Sequence, residues 1–259
     1  MPCTLWCSGC LVLPSTTTFL MTEKRKAPGR GLKPLAILTA LTLGTAYGMV
    51  FFWTPNEADQ GFVQKIFYLH VPMAIVTLGG FILGGIFGFI QLRTGDRKWD
   101  LRSYVAIHLS LMLALGTLIT GSIWARASWG HWWVWDEPVL VSFLIVFLLY
   151  SCYQPLRFSI EDPDKQARYA SVFAVVAGAF VPMNFAAVRL AQAYTHPRVL
   201  GGAQNSMPGS MQITFLLAIV GMTLLYATLW KFEITSKTTR MQLGSIKRRL
   251  ERDNPGSPA

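Results

Sequence analysis

Long apolar stretches alternate with short polar segments along the chain, with neither the two-residue alternation of strands nor the one-sided stripe of a soluble helix. The stretches fall at about 35–53, 66–92, 103–125, 138–156, 169–190 and 211–232. Each is close to or above the ~20 residues that carry a helix across the hydrocarbon of a bilayer. The pattern predicts an all-α integral membrane bundle of six transmembrane helices. It divides the chain into a tail at 1–34, the bundle at 35–232 and a basic tail at 233–259. Gly80, Gly84 and Gly88 recur every fourth residue in the second stretch and read as a small-residue face for close helix packing.

Composition supports that class. Of 259 residues 52% are hydrophobic and only 14% charged, which excludes a disordered chain and a soluble enzyme with charges spread over every element. The net charge of +10 would suit nucleic acid, but its distribution argues otherwise. Nineteen of the 23 Lys and Arg residues lie before residue 35, from Lys231 onward, and in the segments 93–102 and 157–168; the other four are Lys65, Arg126, Arg189 and Arg198. The positive-inside rule then puts both tails in the cytoplasm and turns 54–65, 126–137 and 191–210 outward, toward a periplasm in a bacterial host.

Three of the four cysteines, Cys3, Cys7 and Cys10, stand in the first ten residues; the fourth is Cys152. No disulfide framework follows, and no nearby His or Cys completes a four-ligand metal set. Residues 1–20 read as a dispensable leader, with Met21 as a candidate start, because the basic cluster follows the apolar part, the reverse of a secretory signal.

The outward segment 126–137 holds the densest chemistry. It carries Trp129, Trp132, Trp133 and Trp135 around His131, and Asp136 follows. Interfacial belts collect tryptophan too, but they spread single rings over many helix ends. If the run is helical, Trp129, Trp132, Trp133 and Asp136 share one stripe, a flat aromatic shelf with an acidic end that suits a large planar apolar ligand. His70 and His196 lie on the same expected membrane face, one before the shelf and one after it. Each taken alone is more often a hydrogen-bonded packing group, yet together they are placed as bis-imidazole ligation of a haem iron requires. Haem propionates need cationic partners, and Arg126 and Arg198 are the nearest candidates, with Lys65 and Arg189 behind them. His108, near the cytoplasmic end of the third stretch, reads as a packing histidine.

The run Trp129-Gly130-His131-Trp132-Trp133-Val134-Trp135-Asp136 resembles the tryptophan-rich WGxxWxWD signature of haem-handling proteins. Gly121-Ser122-Ile123-Trp124 precedes it as in that family, and Tyr68-Leu69-His70-Val71-Pro72 resembles the family's first histidine segment. With six spans and a histidine in the third outward segment, the chain is most similar to the haem exporter protein C family of cytochrome c maturation, over roughly residues 33–232. The resemblance implies a protein that binds haem b non-covalently at the outer face of the bacterial inner membrane. It implies delivery of that haem to a membrane-tethered periplasmic chaperone of the CcmE type, beside ABC-transporter subunits of the CcmA and CcmB type and a small CcmD-type subunit. His70 and His196 would be the axial ligands, and Trp129, Trp132, Trp133, Trp135 and Asp136 the platform for haem and chaperone. The chain departs from the family where Glu137 and Pro138 follow Asp136 in place of a small residue or proline and then arginine. The first twenty residues have no counterpart in the family pattern. No Ser-His-Asp order, Walker loop or HExxH is present, so delivery rather than turnover is expected. The alternative is a cytochrome b-like electron-transfer or quinone oxidoreductase subunit, which would pair histidines on facing helices inside the bundle.

Overall fold

A computed structural model describes residues 29–58, 60–190 and 207–253. The described residues form the helices α1 (Leu32–Phe52), α2 (Phe67–Thr94), α3 (Arg97–Trp129), α4 (Pro138–Ser151), α5 (Tyr153–Phe158), α6 (Pro163–Leu190) and α7 (Gly209–Asp253). A 3-10 turn, Phe62–Ile66, leads into α2, and no strand occurs among the described residues. Six segments are long and apolar enough to cross a membrane, α4 and α5 together making one of them. Pro155 explains the break at Cys152, because it has no N–H to bond the Ser151 carbonyl one turn back.

Each crossing lies close to its expected stretch except the last. The helix of the last crossing runs on through the basic tail to Asp253. At 1.5 Å per residue its 45 residues reach about 68 Å, more than twice the ~30 Å hydrocarbon core. Pairs one turn apart support the extension: Glu233 with Lys237 at 3.1 Å and Lys247 with Glu251 at 3.7 Å.

The bundle is organised around α2, with α1 and α7 on one flank and α3 to α6 on the other. Small residues let the axes approach. A Cβ on Gly85 would stand 2.9 Å from the Ala174 carbonyl oxygen and 3.1 Å from the Gly178 Cα, so α2 and α6 meet backbone to backbone. Gly80, Gly84 and Gly88, the expected packing face, lie against Ser110 and Tyr226, Ile107, and Ser171, where an added Cβ would stand 2.1, 2.6 and 3.0 Å from the nearest atom. Beside them Phe81 stacks on Tyr150 with ring centroids 3.8 Å apart, the centre of a core that includes Ile107, Val146 and Ala174. The outer surface is as apolar as the inside: Ile37, Leu41, Val176 and Leu216 are all more than 60% exposed. In water such a surface would aggregate; in lipid it is solvated.

At the end of the bundle away from the Trp129–Trp135 run, Arg157 donates from both guanidinium nitrogens to Asp100, at 2.7 Å each, and both side chains are buried. Arg157 therefore is not the solvated loop charge that its place after a span suggests. Removing one partner of such a pair strands the other charge, at a cost of about 3–5 kcal/mol. Asp100→Ala is expected to lower the melting temperature of the purified protein markedly, whereas Asp164→Ala, which breaks the exposed pair with Arg97, should barely move it. Thermal unfolding in detergent checks the contrast.

Candidate functional site

At the opposite end of the bundle, α2, α3, α4 and α6 enclose an almost wholly apolar cavity of about 240 Å³. His70 and Val71 come from α2, Thr117, Gly121, Trp124 and Trp129 from α3, Val139 and Phe143 from α4, and Asn184 and Arg189 from α6. Trp133 enters from the connection between α3 and α4.

That connection is not the helical shelf the spacing allows. α3 ends at Trp129 because Gly130 takes a left-handed conformation, φ +80°, from which its N–H caps the Arg126 carbonyl at 3.2 Å. A glycine does this without Cβ strain. Residues 131–137 then run as a loop until Pro138 opens α4. Trp129 and Trp133 consequently turn into the cavity, while Trp132 and Trp135 stay 60% and 73% exposed. Asp136 and His131 are exposed with them, and neither lines the cavity. Glu137, at the N-terminus of α4, is completely buried, where the helix dipole favours an acid.

Trp124 packs edge-on against Trp129 at 4.9 Å between centroids, and its Nε1–H donates to Gln60 Oε1 at 3.1 Å, tying the segment after α1 to the cavity wall. Trp133 meets Trp135 edge-on at 6.0 Å, and its buried Nε1–H has no acceptor among the described residues. A buried indole donor left without an acceptor costs about 1–3 kcal/mol, so this wall favours a ligand with an acceptor to offer.

His70 is seated by two neighbours on α3. Its Nδ1 lies 3.0 Å from Thr120 Oγ1, and its ring lies over Gly121, whose missing Cβ would fall 2.8 Å from His70 Cε1. The sequence marks Gly121 only as part of the run before the tryptophan signature and does not flag Thr120, which lies fifty residues from the histidine.

The cations sort differently from the sequence expectation. Arg126 turns back to the Gly130 carbonyl, capping its own helix, and does not line the cavity. Lys65 likewise donates to the Val50 carbonyl at 2.7 Å, at the C-terminal end of α1. Arg189, one of the two cations placed behind Arg126, lines the cavity, and its guanidinium lies 5.2 Å from the Phe185 ring centre. His196 and Arg198 lie outside the described residues, as do Cys3, Cys7, Cys10 and Met21. His108 is away from the cavity, 3.4 Å from Gln154 Nε2 and stacked on Tyr104, as a packing histidine would be.

Among the described residues, six segments able to cross a membrane, with one imidazole and three indoles lining an apolar cavity at one end, define the class of a multi-pass membrane protein with a candidate ligand site. The family model described as "Heme exporter protein C" matches residues 16–249, beyond both ends of the region its motifs occupy, and reaches into the first twenty residues. Similar chains carry the same description. One from Rhodobacter capsulatus is 30% identical over 229 residues, 85% of this chain and 92% of the relative. One from Paracoccus denitrificans is 31% identical over 81% of this chain and 87% of the relative. One from Escherichia coli K12 is 29% identical over 75% and 78%. The chain belongs to the haem exporter protein C family.

Proposed function

We propose that this chain binds haem b non-covalently at the outer face of a bacterial inner membrane and delivers it to a periplasmic haem chaperone during c-type cytochrome biogenesis. The observation that carries the reading is His70, held at the mouth of α2 in an apolar cavity walled by Trp124, Trp129 and Trp133. An imidazole among indoles, with an indole N–H lacking an acceptor among the described residues and a guanidinium at the same cavity, is a donor set that fits an iron porphyrin. Haem brings an iron with axial positions to fill, a planar apolar face and two propionates.

In this reading His70 supplies one axial imidazole. His196, seven residues past Arg189 in the chain, supplies the other. Trp129 and Trp133 cover the apolar face, and Arg189, with Arg198, pairs with the carboxylates. Arg126 is engaged in capping its own helix, so it has less to give a propionate. The cavity, about 240 Å³, falls below the ~300–1,000 Å³ of sites that engulf a whole small molecule. It would therefore hold haem in part and leave an edge within reach of a recipient, which suits hand-over better than permanent retention. The exposed Trp132, Trp135 and Asp136 on the loop are placed to meet that recipient, a CcmE-type chaperone. Subunits of the CcmA, CcmB and CcmD types are the membrane partners in this reading, and lipid covers the apolar exterior.

The orientation rests on the basic residues, and reporter fusions test it. Alkaline phosphatase joined after residue 130 is expected to be active and a fusion after residue 240 inactive, with a fluorescent-protein reporter giving the opposite pattern. An inverted pattern puts the cavity on the cytoplasmic side and ends the delivery reading.

A further inference from the structure

The contact between His70 and Thr120 determines which nitrogen of the imidazole carries the proton. Thr120 Oγ1 is 2.8 Å from the Gly116 carbonyl oxygen and 3.1 Å from that of Thr117, the usual bond of a threonine back to its own helix. A hydroxyl has one proton to donate. Carbonyl oxygens have none, so the Thr120 proton points at them, and the hydroxyl presents a lone pair to His70 Nδ1 at 3.0 Å. The reverse arrangement, with the hydroxyl donating to Nδ1, would set its lone pairs against two carbonyl oxygens within about 3 Å and forfeit the helix bond.

We infer that Thr120 is a positioning residue that fixes His70 as the Nδ1–H tautomer, so that Nε2 carries the lone pair offered to a haem iron. Gly121 completes the device. Any side chain there would displace the ring from Thr120, since even a Cβ would stand 2.8 Å from His70 Cε1 and 3.5 Å from Nδ1. The arrangement is the one that metal-binding histidines generally need, with the second nitrogen donating to a fixed acceptor that sets the tautomer and the ring plane. The functional half of this inference rests on the reading of His70 as an iron ligand; the tautomer does not.

The test uses the full chain, labelled with nitrogen-15 in histidine, purified free of haem in lipid nanodiscs. The His70 signals are identified by their loss in His70→Ala. Wild type and Thr120→Ser are expected to show His70 protonated at Nδ1, and Thr120→Val to shift it toward the Nε2–H form. After loading, haem loss to apomyoglobin should be about 10- to 100-fold faster for Thr120→Val than for wild type and should return toward wild type in Thr120→Ser. A wild-type His70 protonated at Nε2 overturns the inference, and so does a Thr120→Val protein with unaltered tautomer and haem loss. The two readings fail separately. If His70→Ala holds haem with an unchanged spectrum while wild type shows the Nδ1–H form, the ligand assignment falls and the positioning role falls with it.

Discussion

Changing His70 to alanine is expected to convert a low-spin, six-coordinate haem spectrum into a five-coordinate or water-ligated one and to accelerate haem loss at least tenfold, about 1.4 kcal/mol. The protein itself should survive. His70 is half-buried and lies within hydrogen-bond distance of Thr120, whose hydroxyl keeps its carbonyl partners when the imidazole is gone. The stability lost is therefore on the order of 1 kcal/mol, small against what the rest of the bundle provides. Immunoblots of membranes should show near-normal accumulation while assembly of c-type cytochromes collapses. A variant that failed to accumulate would instead assign His70 to folding.

Trp133→Ala should produce the complementary defect. The indole lines the cavity next to Trp129 and is half-buried. Truncating a fully buried tryptophan costs about 3–5 kcal/mol, and half of that is reasonable here, so haem should leave roughly tenfold faster or more. The iron bonds are untouched, and the spectrum should remain low-spin. Trp135→Ala makes a useful partner to this variant, because its ring is 73% exposed and outside the cavity. It should hold haem as wild type does and transfer it poorly to the chaperone. Stopped-flow transfer to apomyoglobin, which needs no docking, and to the chaperone, which does, separates the two defects. Loss of low-spin character in Trp133→Ala would mean that the aromatic wall, and not the imidazole, sets the iron's coordination.

The fold was largely legible because membrane solvation writes itself into composition: six apolar runs give six crossings with little dependence on partners. Properties that depend on distant residues were hidden. Arg157 looks like a topological charge until Asp100, 57 residues away, is packed against it. Thr120 lies in an apolar run and Gly121 stands out only as the start of the segment before the tryptophans; the register of α3 against α2 makes them the seat of His70. Arg189 reaches the cavity from α6, a placement its own segment does not announce, whereas the habit of cations to cap helix C-termini marks Arg126 for the Gly130 carbonyl. The tryptophan run misled for a local reason. Its helical stripe is plausible on spacing, but the glycine at 130 turns left-handed and converts a shelf into a loop that sends Trp133 inward and leaves Trp132 and Trp135 outside. The charge of the basic tail said nothing of its conformation, and helix-forming residues with pairs one turn apart continue α7 through it to Asp253.

Haem in the His70 cavity would show itself in the absorption spectrum of the wild-type protein. Purified gently from membranes of haem-replete cells and assayed as the pyridine haemochrome, the protein should carry b-type haem that acid acetone extracts, with a low-spin, imidazole-ligated spectrum. Haem-free protein from those same membranes, or haem that stays with the polypeptide after extraction, would rule out non-covalent haem binding in the His70 cavity.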